Sequence, residues 1–308
     1  MADDKTAGEA TQTRCGVVAL IGAPNAGKST LINALVGTKV SIVSPKVQTT
    51  RALIRGIALV GAAQLILIDT PGIFSPRRRL DRAMVTTAWG GAHDADIVAV
   101  LVDAKRGLDA EADAILGKLA DVRQPLLLVL NKVDLVEKQK LLGLAAAINE
   151  RARFAATLMI SALSGDGVDD LKAWLAARVP EGPWLYPEDQ VSDAPLRQLA
   201  AEITREKLFH RLHQELPYHS TVETDEWQDR KDGSVRIAQT IFVERESQRK
   251  IVLGKGGQMI RAIGADARRE LTEIVERPVH LFLFVKVRES WSDDPERYRE
   301  MGLEFPQE

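Results

Sequence analysis

Short, continuous apolar runs recur through the first half of the chain, at Val17–Ile21, Gln64–Ile68, Ile97–Val102 and Leu126–Leu130. They are rich in Val, Ile and Leu and mostly lack polar alternation, which marks strands buried on both faces of a parallel sheet. Between and after them, Lys28–Leu35, Glu111–Ala120, Lys138–Glu150 and Val168–Ala177 read as helices. This alternation predicts a doubly wound, mostly parallel α/β domain whose ligands bind at the carboxyl ends of the strands.

The texture changes near residue 180. Pro180, Gly182, Pro183 and Pro187 crowd together ahead of Glu188 and Asp189, an irregular connection. We divide the chain into a polar extension (1–14), an α/β domain (15–180), a linker (181–194) and a second domain with a tail (195–308). The second domain opens on an amphipathic stretch with Leu196, Leu199, Ile203, Leu208, Leu212 and Leu216 at near-helical spacing. A strand ending near Arg230, a turn at Asp232-Gly233 and a strand carrying Val235, Ile237, Ile241 and Val243 read as a hairpin. Helices at Arg245–Leu253 and Gln258–Ile274 flank Gly254–Gly257, and a cleanly alternating strand runs from Val279 to Val287. The predicted order is α-β-β-α-α-β, an α+β domain.

Composition narrows the class without naming a chemistry. The chain has 308 residues, 45% hydrophobic and 27% charged, ordinary for a folded protein of two domains. No apolar run approaches the ~20 residues of a membrane-spanning helix. Met1 to Arg14 is polar and carries no secretory core, and a lone cysteine, Cys15, fits a reducing compartment. A cytosolic location is expected. The net charge of -2 hides an uneven distribution, since residues 181–308 carry 19 Lys and Arg against 25 Asp and Glu. Within that acidic half, residues 245–269 hold Arg245, Arg249, Lys250, Lys255, Arg261, Arg268 and Arg269 against only Glu246 and Asp266. Such a patch can meet phosphates, or be a solvated helix face.

Gly22-Ala23-Pro24-Asn25-Ala26-Gly27-Lys28-Ser29 fits the phosphate-loop pattern, following a strand and opening a helix as that pattern requires. Glycines let backbone N–H groups converge on phosphate oxygens, and the helix N-terminus adds positive potential. Lys28 would neutralise the β/γ-phosphates and the Ser29 hydroxyl would ligate Mg²⁺, with Thr30 beside it. Asp69-Thr70-Pro71-Gly72 follows the second apolar run, where a carboxylate can hold Mg²⁺ through water and a glycine N–H can meet a γ-phosphate. Asn131-Lys132-Val133-Asp134 follows another strand, and a carboxylate there can accept both N1–H and the N2 amino group of guanine. Ser161-Ala162-Leu163 follows Met159–Ile160, where a backbone N–H can reach guanine O6.

In this order the motifs resemble those of the small translational-type GTPases. Ser44-Pro45-Lys46-Val47-Gln48-Thr49-Thr50-Arg51 looks like their first switch. The resemblance implies that one threonine there binds Mg²⁺ with GTP; we favour Thr50 over Thr49, which sequence does not decide. It makes Lys28, Thr50 and Gly72 the groups nearest the chemistry, Ser29, Thr50 and Asp69 the metal set, and GTP or GDP with Mg²⁺ the cofactors. Ile73 stands where other members carry a water-orienting glutamine, so intrinsic hydrolysis should be slow. Asn25 resembles the asparagine that relatives use to hold an activating K⁺; bracing the loop is the alternative.

Gly254-Lys255-Gly256-Gly257 between two helices, in an α-β-β-α-α-β order, resembles a type II KH domain. Its glycines let single-stranded backbone approach, with Lys250, Lys255 and Arg261 as the best cationic partners. Ile251, Val252 and Ile260 either line the groove for bases or belong to the core. A GTPase domain joined to this KH domain resembles the bacterial Era GTPase family, from about Gly16 through the tail segment Trp291-Ser292-Asp293-Asp294-Pro295. That resemblance implies a monomer binding near the 3′ end of 16S ribosomal RNA, a role in 30S subunit maturation, and peripheral inner-membrane association. The rivals are an RNA-binding assembly module with incidental hydrolysis, and a related GTPase of transfer-RNA modification or large-subunit assembly. The KH signature and the single set of nucleotide motifs disfavour the latter. His210, His213 and His219 lack the partners that complete a metal ligand set.

Overall fold

A computed structural model describes residues 12–306 apart from 47, 48, 52, 77, 213–215 and 290–294. Most of the N-terminal extension, Val47 and Gln48 of the switch segment, His213 and Trp291–Asp294 of the tail therefore lie outside the described residues.

The first domain runs β1 (Arg14–Gly22), α1 (Lys28–Val36), β2 (Ile54–Val60), β3 (Ala63–Asp69), α2 (Arg79–His93), β4 (Ile97–Asp103), α3 (Ala110–Lys118), β5 (Leu126–Asn131), α4 (Lys138–Asn149), β6 (Ala156–Ile160) and α5 (Val168–Ala176). Its sheet has the order β2-β3-β1-β4-β5-β6, with β2 antiparallel to β3 and the other pairs parallel. The apolar runs are buried on both faces, as their lack of alternation requires. Leu20, Leu65, Leu67 and Leu101 pack with Leu31, Leu35, Leu171 and Leu175 of α1 and α5. Ile21, Val98, Val100 and Leu128 pack with Ala88, Ile115 and Ile148 of α2, α3 and α4 on the other side. Strand order reverses at β1, between β3 and β4, so the crevice of a doubly wound sheet opens where β1 delivers Gly22. The register aligns Leu20 with Asp69 and Gly22 with Leu101, which sets three strand ends around one point.

The sequence reading did not include β2 or α2. β2 is an edge strand, and the connection after residue 180 covers it. Ile57 N–H donates to Val191 O at 2.9 Å, and Gly56 and Ser192 form an isolated antiparallel bridge. The Gln64 side chain holds the same connection, accepting from Leu185 and Tyr186 N–H at 2.9 and 3.0 Å. An edge strand is thereby covered and a link immobilised by one set of hydrogen bonds.

The second domain runs α6 (Leu196–Arg211), β7 (Ser220–Asp229), β8 (Val235–Val243), α7 (Glu246–Leu253), α8 (Gln258–Val275) and β9 (Val279–Val287), followed by the short α9 (Pro295–Glu300). β8 sits centrally, antiparallel to β7 and parallel to β9. The amphipathic stretch is shorter than its leucine spacing suggests. Leu212 leaves the helix in an extended conformation, and Leu216–His219 forms a separate short turn that contains Pro217. Ile203, Ile237, Ala267 and Leu271 form the inner core of this domain. The chain then returns to the first domain, where Tyr298 and Leu303 pack with Met84, Leu80 and Phe74 on and before α2. Among the described residues no helix is long and apolar enough to cross a membrane.

Candidate functional site

The phosphate loop connects β1 to α1 and is closed by its neighbours. Gly27 has φ 98°, and a Cβ there would lie 2.2 Å from Asn131 Nδ2, so two motifs touch where only glycine fits. Lys28 folds back over the loop and donates from Nζ to Gly22 O and Ala23 O, each at 3.1 Å. Burial lowers its pKa to about 8, partly opposed by the Asp69 carboxylate.

Asp69, at the end of β3, is fully buried. Its Oδ2 accepts from Ser29 Oγ and Ser41 Oγ at 2.7 Å each, and from Thr50 Oγ1 at 3.4 Å. Its Oδ1 has no partner among the described residues, and burial raises its pKa against those hydrogen bonds. A buried carboxylate with an orphan oxygen among hydroxyls is an all-oxygen donor set, which suits Mg²⁺. Ser29 Oγ and Thr50 Oγ1 are 2.9 Å apart, whereas Thr49 Oγ1 turns back to Lys46 O at 2.9 Å. Of the two threonines, Thr50 faces the Asp69 cluster.

Thr70 is structural in this arrangement, donating from Oγ1 to Leu20 O at 2.6 Å. Pro71 carries the chain on to Gly72, where a Cβ would meet Pro24 Cα at 2.9 Å, so the two loops approach closely. Ile73 N–H donates to Gly22 O at 3.0 Å, and its side chain lies in the core with Ile21 and Val98. Asn25 braces the loop, donating from Nδ2 to Pro45 O at 3.0 Å. Pro24, Gly27, Thr30, Thr50 and Gly72 line a cleft of about 480 Å³, together with Arg106 from the loop after β4.

At the other end of the cleft Lys132, with φ 64°, donates from Nζ to Asn25 O at 2.7 Å and pairs with Asp103 at 2.6 Å. Val133 and Asp134 form a short turn that leaves the Asp134 carboxylate exposed. Asn131 Oδ1 takes the Ala162 N–H at 3.0 Å, Ser161 N–H goes to Asp166 O, and Leu163 is exposed. The Ala162 N–H thus reaches a base only by sharing with, or leaving, Asn131. Ser41, Asp103 and Arg106 were absent from the sequence reading. A carboxylate ending β4, like those ending β3, is the signal that could have flagged Asp103; Ser41 and Arg106 carry no motif.

In the second domain Gly254, Gly256 and Gly257 all have positive φ, which forms a sharp loop between α7 and α8. Lys250, Lys255 and Arg261 are exposed around it, and Arg261 donates to Gly256 O. Ile251 is 55% exposed beside the loop, Val252 is fully buried in the core, and Ile260 is packed against that core. Arg249 Nε donates to Val285 O at 3.2 Å, which fixes α7 against the edge strand β9. His219 pairs with Glu244 at 2.8 Å and His210 contacts Val43 O at 3.3 Å.

Residues 17–132 match a family model described as a 50S ribosome-binding GTPase, and residues 215–292 match a KH domain. GTPase Era of Bradyrhizobium sp. strain BTAi1 is 72% identical over 308 residues, the full length of both chains. GTPase Era of Sinorhizobium medicae is 68% identical over 98% of this chain and 97% of its own. Among solved structures, Era in complex with MgGDPNP and nucleotides 1506–1542 of 16S ribosomal RNA superposes with a TM-score of 0.89. The two are 38% identical, and the alignment covers 94% of this chain and 99% of that one. An Aquifex aeolicus Era variant bound to GDP·AlF4⁻ gives the same TM-score, identity and coverage.

Proposed function

The chain belongs to the Era family of GTPases, and from that premise we propose that its GTP cycle governs binding to the 3′ end of 16S ribosomal RNA during 30S subunit maturation. The observation that carries the proposal is a phosphate-loop cleft and a glycine loop at Gly254–Gly257 with exposed Lys250, Lys255 and Arg261 in one chain. The RNA segment is taken from the relative's complex with nucleotides 1506–1542.

In this reading Gly22–Thr30 wrap the phosphates, and Lys28 turns from the Gly22 and Ala23 carbonyls to the β/γ oxygens. Ser29, Thr50 and Asp69 would hold Mg²⁺, directly or through water. When bound, Mg²⁺ neutralises charge on the β- and γ-phosphates. The Gly72 N–H meets the γ-phosphate, and Asp134 accepts from the guanine edge while Asn131 and Ala162 fix the wall beside it. No side chain here is assigned as general base. Ile73 is aliphatic and buried, so water is not oriented from that position and intrinsic turnover is slow. Asn25 Oδ1 is the atom that would take a K⁺, its Nδ2 being engaged with Pro45.

The RNA lies along the Gly254–Gly257 loop, with Ile251 beside it and Lys250, Lys255 and Arg261 neutralising phosphates. The protein acts as a cytosolic monomer; contact with the inner face of the membrane rests on the family alone. Crosslinking the protein to RNA in cells and sequencing the adducts tests the proposal. Adducts at the 3′ end of 16S RNA are expected, and adducts confined to transfer RNA or large-subunit RNA would contradict it.

A further inference from the structure

The segment that carries Thr50 lies against helix α6 of the KH domain along its length. Val43 N–H donates to Glu206 Oε1 at 2.8 Å, and the Lys39 ammonium pairs with the same carboxylate at 2.8 Å. Lys46 Nζ donates to Phe209 O and Leu212 O, the carbonyls at the negative end of α6. The two contacts nearest Thr50 involve buried arginines. Arg205 Nη2 donates to Thr49 O at 2.6 Å. Arg51, on the other side, donates to Ser220 O, Pro217 O and Tyr218 O at 2.9, 3.2 and 3.0 Å. Both guanidiniums lie against the Phe209 ring, at 5.3 and 5.9 Å from its centroid.

This arrangement carries a cost in the docked state of the two domains. Arg205 is 2% exposed, Nη1 has no partner among the described residues, and the neighbouring Arg51 adds a second buried positive charge that Glu202 offsets. Burying like charges together is unfavourable unless the geometry they hold is used. The geometry held here is the peptide on either side of Thr50, whose hydroxyl faces Ser29 and Asp69.

We propose that Arg205 is a positioning residue for the nucleotide site: from the KH domain it fixes the Thr49 carbonyl, and so holds the Thr50 hydroxyl at the Mg²⁺ cluster. The proposal rests on the reading of Thr50 as a metal ligand. Arg205 touches neither nucleotide nor metal, so it acts only through Thr50. Closing the first switch and docking it on α6 become a single event.

The test is a Mg²⁺ titration of GDPNP binding to the full-length protein, which needs no turnover. Arg205→Met keeps most of the side-chain volume and removes the donors. The Mg²⁺ concentration for half-maximal tight binding should rise about tenfold, the scale of one lost hydrogen bond from a charged group. Mg²⁺-free GDP affinity should stay at the wild-type value. Thr50→Ala should raise the Mg²⁺ requirement by itself, and adding Arg205→Met to it should change nothing further, since residues acting through one group are not additive. If Thr50→Ala leaves the titration unchanged, the reading of Thr50 fails. If Thr50→Ala shifts it and Arg205→Met does not, or if the two effects add, the positioning role fails. Arg205→Lys covers the case in which the Met variant does not fold. The shorter lysine lacks the planar fork that spans Glu202 and the Thr49 carbonyl, so a shift of about threefold is expected. An unshifted curve in a folded Lys variant would overturn the proposal.

Discussion

Asn131 ties the guanine side of the cleft to the phosphate side. Its Nδ2 donates to Ala26 O at 2.8 Å inside the phosphate loop, across 105 residues of sequence, while Gly27 leaves the space for the contact. Its Oδ1 meanwhile accepts from Lys132 N–H at 2.8 Å and from Ala162 N–H at 3.0 Å. One buried carboxamide therefore joins three nucleotide motifs. Asn131→Ala should leave Ala26 O and Ala162 N–H unpaired and cost about 1–3 kcal/mol of stability. GTP and GDP affinity should fall together, because the loop that both share is loosened. Thermal unfolding and calorimetric titration check this; loss of GTP affinity alone would go against it.

Guanine selection rests on Asp134. Asp134→Asn exchanges an acceptor for an amide that matches xanthine better, and a mispaired polar edge costs discrimination on the order of 10⁴. Competition between GTP and XTP should invert in the variant. A retained preference for GTP would remove Asp134 from this role.

Lys28 makes nucleotide binding depend on pH. Its pKa is about 8 in the free protein because it is buried, and arriving phosphates favour the ammonium form. Below pH 8 the proton is mostly in place and affinity is flat. Above it, binding takes up a proton, so GTP affinity should fall by up to about tenfold per pH unit. The same lowered pKa gives a stability contribution that is fully present above the usual value of 10.5 and lost as pH falls through about 8. Titrations at pH 7 and pH 9 in buffers of different ionisation enthalpy report the uptake directly. Affinity that is level across this window would contradict the assignment.

Asn25 separates a structural role from an ionic one. With its Nδ2 on Pro45 O at 3.0 Å, bracing is visible, and a K⁺ role would fall to Oδ1. Replacing K⁺ by Na⁺ should slow turnover of the wild type severalfold and leave Asn25→Ala unaffected. Equal wild-type rates in the two salts would confine Asn25 to bracing.

The nucleotide motifs were legible because each sits at a strand end and uses residue types that phosphate, Mg²⁺ and guanine dictate. The hairpin and the Gly254–Gly257 loop were legible from alternation and turn chemistry. β2 was not, because Arg55 and Gly56 interrupt its apolar run and its outer edge is paired by Val191 and Ser192 from a distant connection. α2 carries Gly90 and Gly91, poor helix formers whose helix is stabilised by packing of Ala88 and Ala92 on the sheet. Arg205 and Glu206 belong to no motif and fall between the apolar positions of an amphipathic stretch. They are buried against Lys39, Val43 and Thr49 of the first domain, and a contact between positions 156 apart, as for Arg205 and Thr49, is not encoded in local periodicity.

Grip on RNA through the second domain of this GTPase is tested most directly by the double substitution Lys255→Asp with Gly256→Asp. It places negative charge in the exposed loop, where Gly256 at φ 58° has open space around its Cβ position and aspartate tolerates that backbone. RNA from the 3′ end of 16S ribosomal RNA is titrated at several salt concentrations, with GTP turnover measured on the same preparation. RNA affinity should drop steeply, and the log–log salt slope should flatten by roughly 0.7 for each lost phosphate contact. Basal GTP turnover should remain near wild type. Unchanged RNA affinity in the folded variant would contradict the account.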